Sequence, residues 1–312
     1  MITRRDYLRL SSAAGVALAI DPALLMADDS RHALITRAIP GTSEQLPVVG
    51  LGSSASFSRM AGEGDAAAVG KILKTFVQQG GTVFDTAPSY GEAERLAGKV
   101  AQKAGIDNQL FWATKLNVAS GGSADPIAAR AQLEQSFDRL GRSPLDLIQV
   151  HNLSDVPIQL GLLKEYRDDR RVRYIGVTTT FAGQYGDLER IMRAEPLDFI
   201  GIDYAIDNRT MEKRIFPLAQ ERGIAVLVYQ PFGRTRLWQR VEGHALPDWA
   251  AEYDIASWAQ FFLKFAISHP AVTVVTPASR RVRHVVDNMG AARGRLPDEA
   301  VRDRMIRHIE SL

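Results

Sequence analysis

The chain has 312 residues, 46% of them apolar in type, with 38 basic and 36 acidic residues and a formal charge of +2. That length and apolar content suffice for a large core, in one big α/β domain or two smaller ones. The near balance of charge lacks the basic excess of nucleic-acid binders. The absence of cysteine removes thiol catalysis, thiolate zinc, disulfides and a lipoprotein-type anchor, and no metal site is expected.

At the N-terminus, Thr3-Arg4-Arg5-Asp6-Tyr7-Leu8-Arg9 precedes an apolar run from Ala13 to Ile20 and then Leu24-Leu25-Met26-Ala27. This order of basic, apolar and small residues resembles a twin-arginine export signal. The resemblance implies a signal at 1–27 cleaved near Ala27, a mature domain at 28–312, recognition by the twin-arginine export machinery and a periplasmic location. An amphipathic first helix is the alternative. Asp21 and Pro22 interrupt the run, which is too short for a stable membrane span.

Ala33–Ile39 and Leu46–Val49 flank Pro40-Gly41-Thr42-Ser43, a hairpin pattern. Eight strand-like runs follow, at Val48–Leu51, Thr82–Asp85, Leu110–Lys115, Leu145–Val150, Tyr174–Val177, Phe199–Ile202, Ala225–Tyr229 and Val272–Val275. Helix-period segments alternate with them, at about Asp65–Gln79, Glu92–Ala104, Ile127–Leu140, Ile158–Arg170, Gln184–Ala194, Glu212–Glu221, Asp254–Ser268 and Val282–Met289. Strict alternation of eight such units predicts an α/β fold, a (β/α)8 TIM barrel, with an open doubly wound sheet as the alternative. Phe232–Trp249 reads as a long functional loop without helical period. Pro297–Leu312, apolar at Val301, Met305 and Ile309, predicts an extra C-terminal helix packed on the outside.

Gly50-Leu-Gly-Ser-Ser-Ala55 fits a permissive dinucleotide fingerprint, but Phe57–Gly64 reads as a loop where a helix should open, and Asp85 lies too far downstream. A strand-end loop lining a pocket is the preferred reading. Thr82-Val-Phe-Asp85 ends abruptly in an acid, with Tyr90 in the turn beyond it. The next two strands end in Lys115 and His151. In a parallel barrel these ends converge on one face, where catalytic groups sit. A buried Lys115 needs a partner, and Asp85 is the obvious one. A lysine beside Tyr90 is expected to lower the phenol's pKa, making it a proton donor near neutral pH. His151 would orient a substrate oxygen or tune the same proton.

The motif Asp85-Thr-Ala-Pro-Ser-Tyr-Gly-Glu-Ala-Glu94 is supported by Thr114-Lys115, Asp146-Leu-Ile-Gln-Val-His151 and Arg173-Tyr-Ile-Gly-Val177. Together they resemble the aldo-keto reductase family. The resemblance implies a barrel with an N-terminal hairpin, a nicotinamide cofactor extended across the carboxyl face, and reduction of a small-molecule aldehyde or ketone. It makes Tyr90 the general acid, tuned by Asp85 and Lys115, with His151 placing the carbonyl. On the cofactor side it points to Thr178 and Thr179, to Tyr229 as the ring stacked on nicotinamide with Gln230 beside it, and to Ser279, Arg280, His284 and Asn288 at the adenosine end. Arg280 would favour NADP(H) over NAD(H). The family commonly carries Ser-Asn where this chain has Thr178-Thr179, and Gln and Asn where it has Gly201 and Ala205, so the amide pocket is altered. These departures leave a second reading open, an exported binding protein or lyase-type enzyme without redox chemistry. Phe57, Asn117, Asn152 and Trp238 are the candidate substrate-pocket residues, and Trp112 faces either the core or the outside.

Overall fold

Strand-to-strand pairing runs in one unbroken parallel series, β3 (Leu51–Gly52), β4 (Val83–Asp85), β5 (Phe111–Leu116), β6 (Leu145–Val150), β7 (Val172–Thr179), β8 (Phe199–Asp203), β9 (Ala225–Tyr229) and β10 (Val274–Val275). The computed structural model describes residues 33–118 and 123–312; the expected signal at 1–27 lies outside the described residues. The series closes on itself. Val49 bridges Val275 and Gly52 bridges Ala278, with Gly50 N donating to Val275 O at 2.8 Å and Val275 N to Val48 O at 2.9 Å. The fold is a (β/α)8 barrel, as the strand–helix alternation predicts.

Gly50 and Gly52 belong to this seam. A Cβ at Gly52 would lie 2.5 Å from Thr276 O, and one at Gly50 2.9 Å from Val83 O. Their lack of a side chain lets neighbouring backbones approach. The stretch after them differs from the loop expected there. Ser56–Gly62 forms a short helix, α1, because Phe57, Met60 and Ala61 fall on one face and bury together.

The remaining barrel helices are α2 (Ala66–Gln78), α3 (Ala93–Ala104), α4 (Pro126–Leu140), α5 (Val156–Asp168), α6 (Tyr185–Ala194), α7 (Ile215–Arg222) and, after a short α8 (Arg236–Arg240), α9 (Trp258–Ile267), α10 (Val282–Gly290) and α11 (Glu299–Glu310). Side chains place their starts: Asp65 caps α2, Asp125 caps α4, Ser257 caps α9 and Asp298 caps α11, each accepting from a first-turn backbone N–H. The segment 232–249 is more ordered than expected, since α8 and a 3-10 turn beginning at Asp248 interrupt it. Leu237 of α8 is fully buried and holds the segment down.

Side-chain alternation along the strands divides the core in two. Trp112, Phe84 and Ile148 face the helices, whereas Val83, Phe111, Ala113, Leu147, Phe199 and Leu227 fill the barrel interior. Trp112 is thus a core residue, edge-on to Phe84 at 5.4 Å. The hairpin, β1 (Thr36–Ala38) with β2 (Gln45–Pro47), pairs antiparallel. Its Ile39 and Leu46 join the interior cluster from the amino-terminal end. Arg37 ties the hairpin to the turn before β10 through Ile267 O, His269 O and Val272 O. Arg173 binds Glu44 of the hairpin and Asp146 of β6, and Asp146 also accepts from Trp112 N at 2.8 Å. On the outside, Met305 and Ile309 of α11 are buried as their spacing predicts.

Candidate active site

The carboxyl ends of β4, β5 and β6 deliver Asp85, Lys115 and Gln149 to the top of the barrel interior, and His151 follows β6 in a 3-10 turn. Lys115 Nζ donates to both Asp85 oxygens at 2.9 Å and to Thr86 O at 2.8 Å. The pair is almost wholly enclosed, with side-chain exposure of 1% and 5%. Tyr90 is held by the turn that follows β4, its backbone N–H bonded to Ala87 O. The Lys115 ammonium sits 5.3 Å from the centre of its ring. His151 meets Tyr90 edge-on at 6.0 Å.

The electrostatics follow from burial and this one cation. Burial penalises the Lys115 charge, but Asp85, Tyr90 and Glu94 together hold the ammonium above its ordinary pKa. Burial lowers His151 to about 3, with Lys115 adding to the effect, so the imidazole is neutral at ordinary pH. Its Nδ1 is buried without a hydrogen-bond partner. Tyr90 departs from the expected lowering. Burial raises its pKa, and the opposing pull of Lys115 does not overcome it. The phenol therefore stays protonated across the neutral range.

Glu94 of the sequence motif has a structural place. Fully buried at the start of α3, it accepts from Thr114 at 2.6 Å, Ser136 at 3.0 Å and Arg139 at 3.3 Å, joining α3 to β5 and α4.

Above the pair opens a cavity of about 640 Å³. Asp85, Tyr90, Lys115, His151, Asn152, Thr178, Tyr229, Gln230 and Trp238 line it. Ser279, His284 and Asn288 line a neighbouring cavity of about 330 Å³, which shares Phe232, Trp238 and Ala278 with the first. Four candidates lie elsewhere. Thr179 is fully buried with its hydroxyl turned to Gln184, because it alternates with Thr178 along β7. Phe57 is fully buried against Phe84 at 5.4 Å. Asn117 borders neither cavity, its backbone paired with Gln132. Arg280 is exposed and lines neither. Gly52, Ser54 and Ala55 also line the large cavity, in the stretch read as a pocket-lining loop, whereas sequence reasoning missed Thr180, Phe232 and Arg234; the length of the segment after β9 was the only sign of the last two.

The largest difference from expectation lies at Tyr229. Its hydroxyl donates to Asp85 Oδ1 at 3.2 Å and accepts from Gln149 Nε2 at 3.0 Å. Its ring stands over Gly201, where an added Cβ would come within 2.4 Å of a ring carbon.

A sequence profile described as "Aldo/keto reductase family" matches residues 48–305. The chain belongs to the aldo/keto reductase family. Aldo-keto reductase str7 from Strobilurus tenacellus is 24% identical over 265 residues, covering 74% of this chain and 78% of that protein. Among solved structures, the aldo/keto reductase from Klebsiella pneumoniae in complex with NADP and acetate superposes with a TM-score of 0.72 at 21% identity, covering 88% of this chain and 96% of that one. The holo form of aldo-keto reductase AKR11C1 from Bacillus halodurans gives 0.70 at 20% identity, covering 89% and 96%. Among the described residues of this aldo/keto reductase there is no cluster of side chains suited to a metal ion and no helix long and apolar enough to cross a membrane.

Proposed function

We propose that the protein is an NADP(H)-dependent reductase of an aldehyde or ketone. The observation that carries the reading is the enclosed Lys115–Asp85 pair beneath a protonated Tyr90 at the floor of an open cavity. The cavities fit an extended dinucleotide. They adjoin at Phe232, Trp238 and Ala278, between Lys115 on one side and Ser279 and Asn288 on the other, and the large one is of the size of cofactor sites. Ser279, His284 and Asn288 would hold the adenosine end, and Thr178, Asn152 and Gln230 would face the nicotinamide amide. Arg280, just outside, would meet a 2′-phosphate.

When bound, the reduced dinucleotide supplies a hydride to the carbonyl carbon. Tyr90 gives its hydroxyl proton to the oxygen that becomes the alcohol. Lys115 stabilises the phenolate left behind, at 5.3 Å from the ring. Asp85 keeps that ammonium charged and fixed in place. Neutral His151 orients the carbonyl oxygen without competing for the proton.

Gly201 and the helix-facing Thr179 favour a second reading, a binding protein or lyase-type enzyme without hydride transfer, since neither residue offers the amide a hydrogen bond. Titration of the protein with NADPH and NADH, followed by tryptophan fluorescence quenching, separates the two. Saturable quenching followed by carbonyl reduction supports the reductase, and none at millimolar cofactor overturns it. The proposal includes periplasmic export through the twin-arginine pathway, on the strength of Arg4-Arg5 and the apolar run after them. A mature chain beginning near Asp28 in the periplasmic fraction is the expected result.

A further inference from the structure

At the top of the barrel interior a side chain is missing on one strand and a phenol from the next strand stands in its place. Gly201 on β8 has no side chain, and Tyr229 closes β9, the strand paired beside it. A Cβ built on Gly201 would lie 2.4 Å from Tyr229 Cε2, 2.7 Å from its hydroxyl and 2.8 Å from Cζ. Those separations are below any real contact. The glycine is therefore what allows the ring to lie inward.

In that position the phenol completes a directed chain. Gln149 Nε2 donates to Tyr229 Oη at 3.0 Å, Tyr229 Oη donates to Asp85 Oδ1 at 3.2 Å, and both Asp85 oxygens accept from Lys115. Lys115 Nζ also lies 5.2 Å from the Tyr229 ring centre, as near as it lies to Tyr90. Lys115 is thus flanked by two phenols. Only Tyr229 has its hydroxyl bonded to the carboxylate.

We infer that Tyr229 is a positioning residue, admitted by Gly201, that holds Asp85 through the Gln149–Tyr229–Asp85 chain and thereby fixes Lys115 beneath Tyr90. The role rests on the reductase reading. A buried carboxylate with one cation has oxygen lone pairs to spare, and a donor on Oδ1 restricts its rotation. The same contact favours the ionised carboxylate and so keeps the ammonium charged. A ring used only as an apolar wall for a cofactor would need neither the hydroxyl nor the glycine.

The variants Tyr229→Phe and Gly201→Ala separate these roles. Tyr229→Phe keeps the ring and removes the hydroxyl; kcat should fall about tenfold while the carbonyl KM and the NADPH Kd stay within about twofold. Gly201→Ala forces the ring away from Asp85 and should lower kcat similarly, and the double variant should be no worse than either single one, since both act through one hydroxyl. An unchanged kcat in Tyr229→Phe, or additive losses in the double variant, would overturn the role. A melting cycle without cofactor reads the hydrogen bond alone. Tyr229→Phe should lower Tm by roughly 2–4 °C, and that loss should vanish in an Asp85→Leu/Lys115→Met background. Should that background not fold, Gln149→Leu replaces it and should also shrink the loss. An undiminished loss overturns the chain. Failure of the unaltered protein to bind nicotinamide sinks the reductase reading and the catalytic half of the role with it, while the melting cycle decides the hydrogen-bond half independently.

Discussion

Lys115 Nζ stands 2.9 Å from each oxygen of Asp85 with hardly any water in reach of either side chain. Neither charge is tolerable there without the other. Lys115→Met should therefore destabilise the fold by roughly 3–5 kcal/mol, and Asp85→Leu/Lys115→Met should recover most of that loss. Denaturant unfolding of the three proteins checks both statements. A double variant less stable than the single one contradicts the account.

Tyr90→Phe removes the proposed proton donor and little else. Carbonyl turnover should drop on the order of 10²- to 10⁴-fold with the NADPH Kd unchanged. Steady-state rates beside fluorescence titration measure it, and wild-type turnover would move the acid to another residue.

Buried histidines set the acid side of the stability profile. His151 and His269 are held at about 3 and about 4, mainly by burial, with cations nearby adding to it. In the unfolded chain both bind a proton below about 6.5. Below that pH the unfolded state takes up protons that the native state refuses, so stability is full above pH 6.5 and declines toward pH 4, by at most about 1.4 kcal/mol per unit for each residue. Urea midpoints at pH 7 and pH 5 should show the fall, and His269→Gln should lessen it.

Arg302 secures α11 far from the site. Largely buried, it donates to Phe265 O and Ser268 Oγ and, through its other nitrogen, to Tyr204 Oη and Glu212 Oε1 at 2.7 Å. Arg302→Met should cost roughly 2–3 kcal/mol, the scale of lost charged hydrogen bonds. Thermal melting reads this, and NADPH affinity at 25 °C should not change.

Arg280 lies exposed beside Ser279, which lines the smaller cavity proposed for adenosine. Arg280→Ala should weaken NADPH several-fold more than NADH, by the loss of one charge-assisted contact of about 1 kcal/mol or more. Paired titrations test it, and equal weakening would take the arginine off the 2′-phosphate.

Much of this molecule is legible in its sequence because parallel strands impose a rule. Apolar runs such as Leu145–Val150 are buried on both faces, and their carboxyl ends must meet, so Asp85, Lys115 and His151 can be brought together on paper. The same alternation also turns Thr179 toward the helices and away from Thr178, a signal that strand period alone offers. Phe57 was harder to place, since the glycines around it conceal a helical face shared with Met60. Gly201 announces a missing side chain, but what fills the gap depends on which strand lies alongside. That is a property of sheet order, and no local pattern encodes the inward turn of Tyr229.

The hairpin has a bearing on traffic. With Ile39 and Leu46 stoppering the amino-terminal end of the barrel, Lys115 opens, among the described residues, only to the cavity at the carboxyl face. Two molecules that must both reach the same floor through one doorway have to queue. Whichever lies deeper enters first and leaves last, so under the reductase reading product inhibition should report a fixed order of arrival and departure.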